Sequence, residues 1–354
     1  MDQRRSATTK ANPATIEPQT VFGSEKKDKS ALIKLVDPVR FVEYYLNHRT
    51  WAGQRDILRA IARYPRVAVK ACHASSKTFS AAELVLWWLT YRKKSIVLTT
   101  SPTGRQVEAQ PWGEIRKTLA AGPRIDYPPI NFASFKLSED RWAMGFSTSP
   151  ENAGVNLQGF HGAHVLVIID EAAGIEGPIW EAIEGARAGG DVRQLVLCNP
   201  TVPSGPVYEI FTRQRAQWHT ITIDAFDTPN LKCACQQRHG DFTLDMLRSL
   251  PPGLSENGHE AFAHKPWPEL VSRYWVYEMY WKYGEASAFF ESRVRGQFPT
   301  QAEDALYSLA KLEAARAKPG EQLDDGVCGE FQFRRQLESE IGRCNVASRY
   351  MIQV

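Results

Sequence analysis

The chain has 354 residues, 43% of them hydrophobic, which is enough apolar material for one large or two medium domains with a real core. Lys and Arg total 43 against 40 Asp and Glu, a formal net charge of +3, so overall charge announces no nucleic-acid partner and any such contact must be a local patch. No run approaches the roughly 18 apolar residues of a membrane span, residues 1–10 lack an apolar signal core, and the six cysteines (Cys72, Cys198, Cys233, Cys235, Cys328 and Cys344) lack the dense spacing of a secreted disulfide framework. A cytoplasmic protein with reduced thiols and no membrane partner is expected.

Residues 1–36 are rich in Thr, Pro, Ser and Lys and include the run Glu25-Lys26-Lys27-Asp28-Lys29. Such text cannot offset the entropy of ordering and predicts a disordered arm. From Pro38 the apolar residues Phe41, Tyr44, Tyr45 and Leu46, then Ile57, Leu58 and Ile61, recur at helical spacing on either side of Ala52-Gly53. Six β-rich runs then alternate with segments that read as amphipathic helices: 67–69, 95–99, 142–146, 165–169, 195–197 and 220–223. That alternation predicts a mostly parallel α/β sheet with helices on both faces, spanning residues 37–226. Beyond Phe226 the pattern loosens around Pro251-Pro252-Gly253 and returns as aromatic helical text from Tyr274 to Phe290. Residues 227–300 are expected to form a small, mainly helical subdomain. A tail over 301–354, with a short helix from Leu306 to Ala317, is too short for another domain.

The residues that carry chemistry sit where strands end. The first run leads into Lys70-Ala71-Cys72-His73-Ala74-Ser75-Ser76-Lys77-Thr78 and then a helix. This reads as a phosphate-binding Walker A loop, in which backbone N–H groups and the helix N-terminus cradle phosphates, Lys77 reaches them and Thr78 ligates Mg²⁺. Ala71 and Ser76 stand where glycines are expected, and a Cβ at Ser76 restricts the backbone. His73, Ala74, Ser75, Ser76, Lys77 and Thr78 are the predicted nucleotide-binding residues. About ninety residues on, Val165 to Ile169 ends in Asp170-Glu171, a Walker B strand in which Asp170 holds Mg²⁺ and Glu171 polarises the attacking water. The next run ends in Asn199-Pro200-Thr201; Asn199 and Thr201 lie where a γ-phosphate is sensed, although Asn-Pro also begins simple turns. Upstream, Gln54 offers an amide with a donor and an acceptor for an adenine edge, or is a surface residue at a helix start.

Together, Gln54, the loop ending in Lys77-Thr78, the segment Thr99 to Val107, Gly159-Phe160-His161-Gly162, Ile169-Asp170-Glu171-Ala172 and Asn199-Pro200-Thr201 resemble, in order and spacing from about residue 40 to 300, the large terminase subunits of tailed phages. The resemblance implies a RecA-like P-loop motor that hydrolyses ATP with Mg²⁺. It also implies a homo-oligomeric ring at a procapsid portal in the host cytoplasm, working with the portal protein and a small terminase subunit to move double-stranded DNA inward. In that scheme Asn199-Pro200-Thr201 couples hydrolysis to movement. The family's nuclease domain has no counterpart before the chain ends, so no nuclease activity is expected. Arg105, Arg124, Arg187 and Arg193 all qualify by position as an arginine finger. Cys233-Ala234-Cys235 with His239 lacks the two-residue gap of common zinc sites, and zinc is not expected. Other readings are a helicase-like ATPase, which would need a second RecA-like domain not seen after residue 226, and a degenerate P-loop subunit that assembles without hydrolysis.

Overall fold

The computed structural model describes residues 34–147, 162–175, 177–187, 189–233 and 240–300. The expected arm, apart from its last three residues, the tail from 301 onward, Gly159 to His161, Cys235 and His239 lie outside them.

Helices α1 (Pro38–Tyr44) and α2 (Ala52–Arg63) precede β1 (Arg66–Ala71), α3 (Lys77–Tyr91), β2 (Ser95–Ser101), α4 (Gly104–Ala109) and α5 (Pro111–Ala120). A hairpin of β3 (Ser134–Ser138) and β4 (Arg141–Ser147) follows, then β5 (His164–Ile169), α6 (Gly177–Ala186), β6 (Asp191–Cys198), α7 (Gly205–Phe211) and β7 (His219–Ile223). All six expected runs are strands. The seven form one sheet in the order β3-β4-β2-β5-β6-β1-β7, parallel throughout except for the β3–β4 pair. Strand β3 was not anticipated: Ser134-Phe135-Lys136-Leu137-Ser138 has the period-2 alternation of a strand, but it is short and follows a loop rather than a helix.

The strand order positions the chemistry. The strand before the lysine loop, β1, does not pair with the acid-bearing β5; β6 lies between them. The C-terminal ends of β1, β6 and β5 therefore stand side by side, and Asn199 falls between the loop and the acids. Side chains alternate along the strands into two apolar layers. Val67, Val69, Leu166, Ile168, Leu195 and Leu197 face the layer that contains α1, α2 and α3, while Val165, Val167, Ile169 and Val196 face Ile179, Ile183, Val207 and Ile210 of α6 and α7.

Helix α3 departs from the amphipathic pattern. Twelve of its fifteen residues are buried, including Trp87 and Trp88, because it is sandwiched between the sheet and α1, α2 and α5. A helix enclosed on every side has no solvent face on which to place a polar residue, yet it carries Glu83, which is 0% exposed.

After β7 the chain forms α8 (Leu244–Ser249) and 3₁₀ turns at Glu256–Gly258 and Glu260–Phe262, then α9 (Arg273–Tyr283). The aromatic stretch is not one helix: α9 stops at Gly284, whose φ of 83° suits only glycine, and helical geometry resumes in a π-helical turn at Phe290–Val294. Tyr277 and Phe290 are buried in the same layer as α3, whereas Trp281 and Tyr283 are exposed. No helix among the described residues is long and apolar enough to cross a membrane. The described cysteines Cys72, Cys198 and Cys233 are buried, and Cys72 and Cys198 are free thiols.

Candidate functional site

Between the end of β1 and the start of α3 the chain turns twice through left-handed backbone, at Ala74 (φ 48°) and Ser76 (φ 62°, ψ 24°). An L-residue accepts that region at a cost of roughly 1–2 kcal/mol. Ser76 thus adopts the conformation that made glycine the expected residue. Surrounding hydrogen bonds hold the loop: Cys72 N–H donates to Ile223 C=O at 2.9 Å, His73 N–H to Arg293 C=O at 2.8 Å, and Val271 N–H to Ala74 C=O at 3.0 Å. Just after the π-helical turn the chain passes so close that a Cβ on Gly296 would collide with the Ile223 carbonyl oxygen.

At the head of α3 two bonds join the loop to the neighbouring strand ends. Lys77 Nζ, nearly buried, donates to Asn199 Oδ1 at 3.0 Å, and Asn199 Nδ2 donates to the Ala71 carbonyl at 2.6 Å. Thr78 Oγ1 donates to Asp170 Oδ2 at 2.8 Å, while Asp170 Oδ1 accepts from Glu171 N–H at 3.0 Å. Asp170 is fully buried, and burial, then the neighbouring Glu171, pushes its pKa up to about 6 against the lowering pull of Lys77 and Thr78. Glu171 is itself left-handed (φ 51°, ψ 40°) and lines the cleft that opens over the loop. Strained non-glycine backbone of this kind survives where the surroundings over-determine it, often at functional sites.

The cleft encloses about 730 Å³. Ala74, Ser75, Ser76, Lys77 and Thr78 form its floor, and Asn47, His48, Arg49, Gln54, Phe79, Gln110, Glu114 and Pro266 to Glu269 its walls. One wall is held by Asn230, fully buried, whose Nδ2 donates to the carbonyls of Trp267, Leu270 and Val271 and whose Oδ1 accepts from Trp267 N–H. Arg49 lies 4.2 Å over the Trp267 ring and joins the two walls. Two buried acceptors on the lining, Ser75 Oγ and Gln110 Oε1, have no hydrogen-bond partner. Buried polar atoms without partners are rare in folded proteins, and these two belong to residues that line the cleft.

Most of the expected residues meet here, but not all. His73 turns away from the cleft: its ring Nε2 is 2.6 Å from Arg293 Nη1 and the ring leans on Trp275. Burial, then Lys77 and Arg293, push its pKa down to about 4, which keeps it neutral. Gln54 lines the cleft, but its Oε1 accepts from Trp51 N–H at 3.2 Å and caps α2, leaving only the amide nitrogen. Thr201 N–H closes a turn onto Asn199 C=O at 2.9 Å, and its side chain is not part of the lining. Among the arginines, Arg193 is at the opposite end of the sheet, paired with Asp191. Arg187 pairs with Glu184 and Arg124 covers the Tyr44 ring, while Arg105 is exposed at the start of α4. The walls at 47–49 and 266–269 were not foreseen; their chemistry comes from two distant loops, and neither carries a motif. Glu83 left only a faint trace, an acid inside an otherwise apolar helical run.

A loop after β1 leading into α3, its lysine and threonine meeting the ends of β6 and β5, and β6 intercalated between β1 and β5 are the marks of one architecture. The fold is a RecA-like P-loop NTPase fold. No protein-family model matches the chain. Over 53 residues, 15% of this chain and 11% of the relative, the sequence is 47% identical to a protein of Enterobacteria phage P7 described as a probable terminase, large subunit. The large terminase from a thermophilic bacteriophage overlays on 72% of this chain and 55% of its own, with 12% identity and a TM-score of 0.46. The ATPase domain of the large terminase of Thermus phage P74-26 overlays on 72% of this chain and 95% of its own, with 16% identity and a TM-score of 0.45. The matches thus span a small part of the P7 relative and little more than half of the thermophilic phage's terminase chain.

Proposed function

We propose that this chain is an ATPase that drives double-stranded DNA into a phage procapsid, the motor part of a large terminase. The observation that carries the catalytic half of this reading is the pair of links Lys77–Asn199 and Thr78–Asp170, which tie the loop to two strand ends beside Glu171. In this reading the triphosphate lies on the backbone of residues 74–78, where Ser75 Oγ gains a partner, and Lys77 exchanges Asn199 for a phosphate oxygen. Asn199, bonded to both Lys77 and the β1 carbonyl, then feels whether that phosphate is present. Glu171 accepts the proton of the attacking water.

The Thr78 hydroxyl and the Asp170 carboxylate are hard oxygen donors 2.8 Å apart, and a buried carboxylate whose ionisation burial opposes is suited to a divalent cation. These two residues would hold Mg²⁺, which when bound supplies neutralisation of phosphate charge. The DNA substrate, the portal and small-subunit partners and the ring rest on the ordered motifs that resemble large terminases. The local sequence identity with the phage P7 protein supports them.

The test is steady-state ATP hydrolysis by the wild type and by Lys77→Ala, with and without double-stranded DNA and with portal and small subunit supplied. Mg²⁺-dependent turnover that Lys77→Ala abolishes is the expected result. Absence of turnover and of nucleotide binding in the wild type under all those conditions would reduce the proposal to its fold.

A further inference from the structure

The wall of the cleft formed by residues 47–49 contains a pair that phosphate binding leaves unused. His48 lines the cleft, and its Nδ1 lies 3.1 Å from Oε1 of Glu83, the acid enclosed in α3. The ring also packs on Phe79, with centroids 4.9 Å apart, and the left-handed turn at Asn47 (φ 56°) delivers it over the head of α3. A carboxylate at zero exposure with no lysine or arginine partner is expensive. Burial pushes the Glu83 pKa up to about 7, and Oε2 has no hydrogen-bond partner. An apolar residue would suit this helix better, so the pair is not explained by packing. What it does accomplish is geometric: on a residue that lines the cleft, one ring nitrogen is pinned by the buried acid and Nε2 is the one that remains. With an ionised carboxylate taking the Nδ1 proton, Nε2 is an acceptor.

The lining carries other acceptors on Asn47, Gln110, Glu114 and Glu269, but the His48 ring is held from behind by a buried carboxylate. Gln54, expected to read both edges of the base, has spent its oxygen on capping α2 and retains only its N–H₂ donor. Resting on the nucleotide-site reading above, we propose that His48 is a base-specificity residue, its Nε2 accepting from the exocyclic amino group of a 6-aminopurine, and that Glu83 is the positioning residue that fixes the ring for it.

The experiment measures equilibrium binding of three probes at pH 8, where Glu83 is ionised: ATP, the inosine triphosphate whose ring carries a carbonyl in place of the amino group, and inorganic tripolyphosphate. The wild type is expected to prefer ATP over the inosine analogue by on the order of tenfold, the worth of one hydrogen bond with an unpaired alternative. His48→Ala should bring the two nucleotides to equal affinity while tripolyphosphate binding stays unchanged. Glu83→Gln, which keeps the helix volume, should narrow the preference in the same direction and serves if the alanine variant does not fold. An ATP preference that survives both substitutions overturns the assignment, as does one that survives them but disappears in Gln110→Ala, a rival acceptor on the lining. A wild type that binds tripolyphosphate but does not discriminate between the nucleotides sinks this inference and leaves the phosphate site standing. A wild type that binds none of the three sinks both.

Discussion

The two ends of the cleft are built on different plans, although each contains a fully buried carboxylate with a raised pKa. At one end, Asp170 follows a strand and bonds the threonine after the loop lysine; its partners come from the first turn of α3 and from the residue next to it in the chain. At the other end, Glu83 is inside a helix, and its partner, His48, arrives from a turn thirty-five residues away. The Asp170 end is local and repeats the logic of parallel sheets, in which strand termini gather polar groups at one edge. The Glu83 end depends on the burial of most of α3 and on the loop at 47–49, which together with 266–269 lines the cleft. Similar electrostatics thus arise from a motif in one place and from packing in the other.

The sharpest way to break the comparison is at Lys77. If it acts on phosphate charge, Lys77→Ala lowers turnover by at least two to three orders of magnitude, the scale of losing one preorganised charge donor, measured as phosphate release under saturating Mg²⁺. Next is Asp170→Asn. The folded-state pKa of Asp170 is raised, so its ionised form costs stability on the order of 3 kcal/mol above about pH 6, a cost that fades as pH falls toward the unfolded value. The variant should therefore melt higher than wild type at pH 8 without nucleotide, equal it near pH 4, and have no Mg²⁺-dependent turnover. A melting temperature unchanged at pH 8 would mean that Asp170 is not ionised there or that a cation already compensates it.

Glu83→Gln probes the other carboxylate by the same sign. Its folded pKa lies near 7, so wild-type stability falls as pH rises from the unfolded carboxylate value through 7. The substitution should raise urea stability at pH 8 by up to about 3 kcal/mol and by almost nothing at pH 4.5, yet turnover should persist, in contrast to Asp170→Asn. Equal loss of turnover in the two variants would erase the distinction between the ends. The smallest effect is expected at Ser76→Gly: relief of the left-handed backbone, less the entropy that glycine adds to the unfolded chain, leaves a gain of about 0.5–1 kcal/mol in chemical denaturation. A loss there would mean that the Ser76 side chain contributes to the loop beyond its backbone conformation.

Much of the geometry around Lys77 and Asp170 was legible beforehand. Val165 to Ile169 followed by two acids, and Lys77-Thr78 opening a helix after a strand, are short-range patterns whose geometry follows from where a parallel strand must stop. The same reasoning misplaced His73, because nothing local says that Arg293 and Trp275 will draw its ring out of the cleft. It also over-assigned Gln54, whose oxygen is consumed by the helix it begins. Segment 274–290 read as aromatic helical text because its spacing is continuous, while Gly284 ends α9 through a backbone angle that composition alone does not reveal.

What the amino-acid sequence determined by itself was the alternation of strands and helices, the two strand-end motifs and the anomaly at Ser76, because these depend on periodicity and on neighbours within a few residues. Only the tertiary structure decided that β6 lies between the loop strand and the acid strand, which places Asn199 on Lys77, and that twelve of the fifteen residues of α3 are buried. It alone pairs Glu83 with His48 at the wall of the cleft. Strand order and complete burial are properties of how elements pack, and packing is settled by contacts between residues far apart in the chain, which no local pattern records.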